Sequence, residues 1–166
     1  MTAADALNTM ADWPISAAMR GETPGTEWLF PIVETLHVMS LSIVFGSIAM
    51  VDLRLLGISS RDSRVSQLVG EVLPWTWGAW GVAALCGTLM FLAKAETYLG
   101  NLQFRLKLLC MALAAVNMLV FHFGAYRQVG RWNVGDPPSS AKLAGALSLS
   151  LWTGVVFFGR WVGFTT

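Results

Sequence analysis

Six charged, imidazole or amide side chains stand inside the apolar stretches of this chain: Glu34, His37, Lys107, Asn117, His122 and Arg160. These residue types could do chemistry there. An imidazole can ligate haem iron or another metal, and lysine or arginine can meet a carboxylate or a haem propionate. In hydrocarbon such groups are costly, so they either pair with one another or serve a site.

Glu34-Thr35-Leu36-His37 places a carboxylate and an imidazole three residues apart, on one face of a helix. Di-iron bundles use this spacing but need two such units and two further glutamates. The chain has one unit, so a di-metal centre would need a second copy. A single haem b suits the residue types better, with His37 as one axial ligand and Met90, or another methionine, as the second. Arg160 and Lys107 would then meet the propionates. A quinone or another metal at His37 is a second reading. A third is a histidine hydrogen-bonded within the bundle, to a backbone carbonyl or to Glu34. By type alone, His37 and His122 are the metal-ligand candidates. The scattered methionines form no ladder on one span and read as packing residues.

Depth sorts these residues further. With span midpoints near Ser40, Ala84, Ala115 and Gly154 and a rise of about 1.5 Å per residue, Glu34, Met90 and Arg160 each fall ~9 Å to the outer side of the middle. Lys107 falls ~12 Å to that side. Opposite charge at equal depth predicts a Glu34–Arg160 ion pair between the first and last spans. His37 lies ~4–5 Å outward and His122 ~10 Å inward, so the two are ~15 Å apart along the membrane normal. That separation counts against both histidines ligating one haem in one protomer.

The elements that must position these residues are four apolar runs, Leu29–Val51, Trp77–Ala93, Leu106–Tyr126 and Leu143–Phe164. Each is close to the ~20 residues that cross a bilayer as helix. The chain is 55% hydrophobic and 13% charged, about half the charge of an ordinary soluble domain. The fold class is therefore all-α, an integral membrane four-helix bundle with an N-terminal amphipathic segment. Residues 1–27 form the interfacial segment and residues 28–166 the four-span domain. No length remains for a soluble catalytic domain. A net charge of +1 argues against a nucleic-acid partner. Cys86 and Cys110 lack CxxC spacing and read as apolar packing residues. The first charges are Asp5 and Asp12, with no basic start, so the N-terminus does not read as a secretory signal.

Asp12-Trp13-Pro14 reads as a capped helix start, with Ile15, Ala18 and Met19 on one face of a surface helix. Ile58–Pro74 reads as a polar loop followed by a short interfacial helix carrying Val65, Leu68, Val69 and Val72. Lys94–Asn101 reads as a turn and Gln128–Lys142 as a loop. Asp52 and Arg54, at the end of the first span, read as solvated anchors with local ion pairs. Ala79, Ala83 and Gly87, then Ser42 with Gly46, and Gly159 with Gly163, form small-residue stripes that let helices approach. Asn117 and His122 are placed to hydrogen-bond between helices.

Arg54, Arg61, Arg64, Arg127, Arg131 and Lys142 lie in the loops 52–74 and 125–142, against Arg20, Lys94, Arg105 and Lys107 on the other side. The positive-inside rule then puts both termini outside.

At Glu34-Thr-Leu-His37, Gly46, Asp52-Leu-Arg54-Leu-Leu-Gly57 and Gly159-Arg160-Trp161, the chain resembles a family of small bacterial inner-membrane proteins with four predicted spans. The Asp-Leu-Arg-Leu-Leu-Gly string is the most specific part. The resemblance implies a bacterial inner membrane and carries no activity with it. A looser likeness links the histidines in a small bundle to membrane b-type cytochromes and to copper-resistance D proteins.

The leading expectation is a redox-linked membrane protein holding a haem b or a quinone in the outer half of the bundle. His37 would bind the group, and Glu34, Lys107 and Arg160 would tune charge. The alternative is a non-catalytic accessory or structural subunit whose buried polar groups fix helix packing. The expected partners are the lipid bilayer and further copies of the chain, or a larger membrane complex. Both termini are expected to be periplasmic.

Overall fold

A computed structural model describes residues 9–59 and 63–165. Asp5 and Arg61, used above in the charge reading, lie outside the described residues. Among the described residues all regular structure is helical. The elements are α1 (Pro14–Met19), α2 (Leu29–Leu55), α3 (Val65–Ala93), α4 (Ala95–Gly100), α5 (Leu102–Phe123), a 3-10 segment (Ala125–Arg131) and α6 (Ser139–Thr165). The helices α2, α3, α5 and α6 are each long and apolar enough to cross a membrane. At about 1.5 Å per residue, the longest are ~40 Å, so their end turns reach past a hydrocarbon core of ~30 Å.

The cross-contacts give the topology. Thr76 Oγ1 donates to Ser47 Oγ at 2.8 Å, while His37 meets Ala83, so α3 descends as α2 rises. Asn117 meets Ala144 and Asn101 meets Thr165, so α6 descends as α5 rises. The bundle is up-down-up-down. α2 pairs with α3, α5 pairs with α6, and the contact between α2 and α6 joins the two pairs.

Two glycines on α6 set how close the helices come. A Cβ at Gly145 would stand 3.1 Å from the Asp52 backbone oxygen and 3.1 Å from Leu55 Cβ. A Cβ at Gly154 would stand 3.1 Å from Cys110 Sγ. Neither glycine belongs to the stripes read from the sequence. Of those stripes, Ala83 is buried and Gly87 and Gly159 lie under side chains, whereas Gly46 and Gly163 face open space.

The loop end of the bundle, at the connections after α2 and α5, is closed by polar contacts. α2 stops in a Schellman turn: Gly57 N–H donates to Arg54 O at 3.1 Å and Ile58 N–H to Leu53 O at 3.0 Å, with Gly57 at φ +73°. Asn133 caps α3, accepting from Val65 N–H through its backbone oxygen at 3.1 Å. Its side chain accepts from Ser66 N–H at 2.9 Å. Leu55, Val65 and Ala141 form an apolar cluster beneath, with Trp132 packed on it. At the opposite, terminal end, Asn101 accepts from Phe104 N–H and caps α5. Tyr98 and Phe91 both stack on Phe104. α1 docks there through Met19, which packs with Val33, Cys86 and Ala93.

Several boundaries differ from the sequence reading. From Val65 onward, the segment read as a short interfacial helix runs into the second span as one helix, with Pro74 inside it. One proline removes one hydrogen bond, and the apolar packing on either side carries the helix through. The N-cap of α1 is Trp13, with no side-chain cap, rather than Asp12. Ser16 and Met19 face in, and Ile15 faces out. The turn Lys94–Asn101 contains α4, and the third span runs Leu102–Phe123 with Tyr126 in the 3-10 segment.

Candidate functional site

His37 is held from two sides. Its Nδ1 lies 2.7 Å from the backbone oxygen of Ala83 on α3. A carbonyl only accepts, so Nδ1 carries the proton and donates. The ring rests on Gly87, where a Cβ would stand 3.1 Å from Cε1 and 3.5 Å from Nδ1. Glycine is what lets α3 receive the imidazole. In the neutral ring this bond leaves the Nε2 lone pair open, the arrangement by which a second contact orients a metal-ligating histidine. It also matches the third reading of His37, a hydrogen bond to a backbone carbonyl.

Lys107 arrives from α5. Its stem crosses α6 at Gly159, with Cδ 3.5 Å, Cε 3.7 Å and Nζ 3.9 Å from the Cβ position there. Its ammonium is near enough to act electrostatically on His37. His37 from α2, Gly87 from α3, Lys107 from α5 and Gly159 from α6 therefore converge on the terminal half of the bundle. An imidazole nitrogen and an ammonium there can accept a proton, donate hydrogen bonds to a carbonyl or carboxylate, or ligate iron through Nε2.

The expected Glu34–Arg160 pair is not made. Both side chains are exposed. Among the described residues the ion pairs are Arg20–Glu22 at 2.6 Å and Lys142–Asp136 at 2.8 Å. The Arg160 guanidinium instead lies over the Phe164 ring, 4.9 Å from its centroid. Glu34 acts on Tyr98, whose phenol is held above its ordinary range by burial first and by that carboxylate second. Equal depth does not fix the direction in which two helices present their side chains.

Met90 packs against the cluster of Met19, Val33, Cys86 and Ala93. His122 is exposed near the loop end, where it stacks on Tyr126 at 5.6 Å between centroids. The two histidines thus sit toward opposite ends of the bundle. No group of three or more metal-ligating His, Cys, Asp or Glu residues occurs among the described residues. Asn117 donates to Ala144 O at 2.9 Å, the interhelical bond expected of it, but His122 takes no part.

Asp52 and Arg54 are not solvated anchors. They are 4% and 0% exposed. Arg54 Nε donates to Ser63 O at 3.0 Å and Nη2 to Gly135 O at 3.3 Å, so one side chain ties both loop-end connections together. Asp52 faces α6, within hydrogen-bonding reach of the Ser148 hydroxyl. Asp52 Oδ2, Arg54 Nη1 and Trp132 Nε1 are buried without a partner. The Asp-Leu-Arg string was the available signal, since two charges beside a span end are open to burial as well as to solvation.

A haem b would find one protein axial ligand, His37 Nε2, because Met90 is taken up in packing and His122 lies at the other end. A quinone needs groups that exchange hydrogen bonds with its oxygens, and His37 and Lys107 are of that kind.

Residues 21–165 match the model of a family of unknown function (DUF6644), and the chain belongs to that family. No curated protein matches the chain, and no solved structure matches it.

Proposed function

We propose, for this member of a family whose function is unknown, a redox-linked membrane protein that holds a quinone or a haem b in the terminal half of the bundle. One observation carries the reading: Ala83 O fixes the Nδ1 proton of His37 and leaves Nε2 open, with the Lys107 ammonium near enough to act on the ring. The bound group would supply the electron chemistry. The chain's own part is to present Nε2 as acceptor or ligand and to set the ring's tilt through Gly87. Lys107 adds positive charge facing a quinone oxygen or a propionate.

The same proposal places the protein in a bacterial inner membrane with both termini periplasmic, from the basic loop end. α5, of which Ala114 is the buried residue, would meet lipid, a second copy or a larger complex through its outer face.

A second reading is favoured by the helix-to-helix bonds themselves. His37–Ala83, Asn117–Ala144 and Thr76–Ser47 each fix the register of a helix pair. In that reading the protein is a non-catalytic accessory subunit. Absorption spectroscopy and organic extraction of the detergent-purified chain separate the two. A Soret band, or a quinone in the extract, lost in His37→Ala supports the redox site. A colourless, quinone-free and well-folded chain supports the accessory role.

A further inference from the structure

Asp52 is a carboxyl group with almost no water. It is 4% exposed and lies in the last turn of α2, at the negative end of the helix dipole. α6 closes over it at Gly145, whose Cβ position is 3.6 Å from Asp52 Cα. The Ser148 hydroxyl reaches the carboxyl group, and Oδ2 is buried without a partner.

The charged and titratable groups around Asp52 do not neutralise it. Arg54, on the same helix, turns its guanidinium to Ser63 and Gly135. Lys142 of α6 pairs with Asp136. On α3, Glu71 accepts from Gln67 at the surface. In the 3-10 segment, Tyr126 stacks on His122 and lies tilted against Phe121. Among the described residues no ion pair reaches Asp52. Burying a carboxylate without a cation costs far more than burying the same group as an acid that keeps its hydrogen bonds.

We propose that Asp52 is a proton-binding site at the loop end of the bundle, where its side chain sits as a neutral carboxylic acid between α2 and α6. The oxygen facing Ser148 accepts, and Oδ2 carries the hydrogen and is the free donor. Uptake adds one proton to Oδ2 and removes one negative charge; release returns both. Release leaves a buried anion, so it requires water or a cation to enter where α2 and α6 meet. The proposal is independent of the reading of His37.

Infrared spectroscopy of the full chain in lipid nanodiscs, labelled with ¹³C at the aspartate carboxyl, tests it at neutral pH. The expected result is a carboxylic-acid C=O band that shifts in D₂O and is missing in Asp52→Asn. Ser148→Ala should move the band without removing it. A spectrum with carboxylate bands alone would overturn the proposal, as would an acid band that persists in Asp52→Asn. If the asparagine variant does not fold, the labelled natural chain decides. An acid band present at neutral pH and lost only as pH rises above neutral supports the site, and the absence of any acid band at neutral pH overturns it.

Discussion

The His37 ring depends on a bond to Ala83 and on the missing side chain of Gly87. Gly87→Ala should therefore act on the ring while sparing the helix. Overpacking of one methyl costs about 1–3 kcal/mol, and we expect loss of the bound group with unchanged helix content by circular dichroism. Full retention of the group in Gly87→Ala would mean that the tilt of the ring is not what binds it. Tyr98 offers a pH test at the same end. Burial, and then Glu34, keep its phenol above the ordinary range. The unfolded chain loses that proton near pH ~10, before the folded chain does. The stabilisation is complete below that pH and declines as pH rises through the folded value. Tyr98→Phe should flatten this alkaline decline in a thermal-melt series, and an unchanged decline would assign it to other groups. At this scale the sequence was legible in part. His37 was recognisable as a polar group needing a partner, and a backbone carbonyl was among the partners considered, but no pattern points to Ala83. Asp52 and Arg54 were misread because their burial depends on Gly145 and Gly135, both distant in sequence, and on how the chain folds back at Ser63.

At the scale of the elements, one side chain and one close helix approach hold the loop end together. Arg54 bonds to carbonyls in both connections, and each hydrogen bond from a charged donor contributes about 1.5–3 kcal/mol. Arg54→Ala should cost ~3 kcal/mol, read as a lower melting temperature with faster proteolysis of the connections after α2 and α5. A melting temperature equal to that of the natural chain would show that the guanidinium holds neither connection. Gly145→Val tests the joint between α2 and α6. Its side chain would start 3.1 Å from two α2 atoms, so the joint must open and stability must fall. Undiminished stability would show that the close approach is slack. The four spans were readable because hydrocarbon demands long apolar runs. Their ends were less so: Pro74 marked a boundary by the usual rule and instead lies within α3. The tertiary contacts on both sides of it were not local information.

Across the whole molecule, polar groups divide between two levels: His37 and Lys107 in the terminal half, and Asp52 and Arg54 at the loop end. Orientation follows from charge and is testable with single cysteines in a chain lacking Cys86 and Cys110. Glu96→Cys should react in intact cells with a membrane-impermeant maleimide, and Gln128→Cys only after lysis. The reverse pattern would invert the proposed topology. The fold class was evident from composition alone, whereas the close approach of α6 to α2 at Gly145 and to α5 at Gly154 depends on two glycines that no depth estimate selects. Electron exchange at His37 is the claim on which the proposed function stands, and a reduced-minus-oxidised difference spectrum of the purified chain, followed through the visible and near-ultraviolet, tests it most directly. The natural chain should show a haem or quinone difference that His37→Gln abolishes while helix content and melting temperature hold. A flat difference spectrum from natural chain purified out of its own membrane would contradict it.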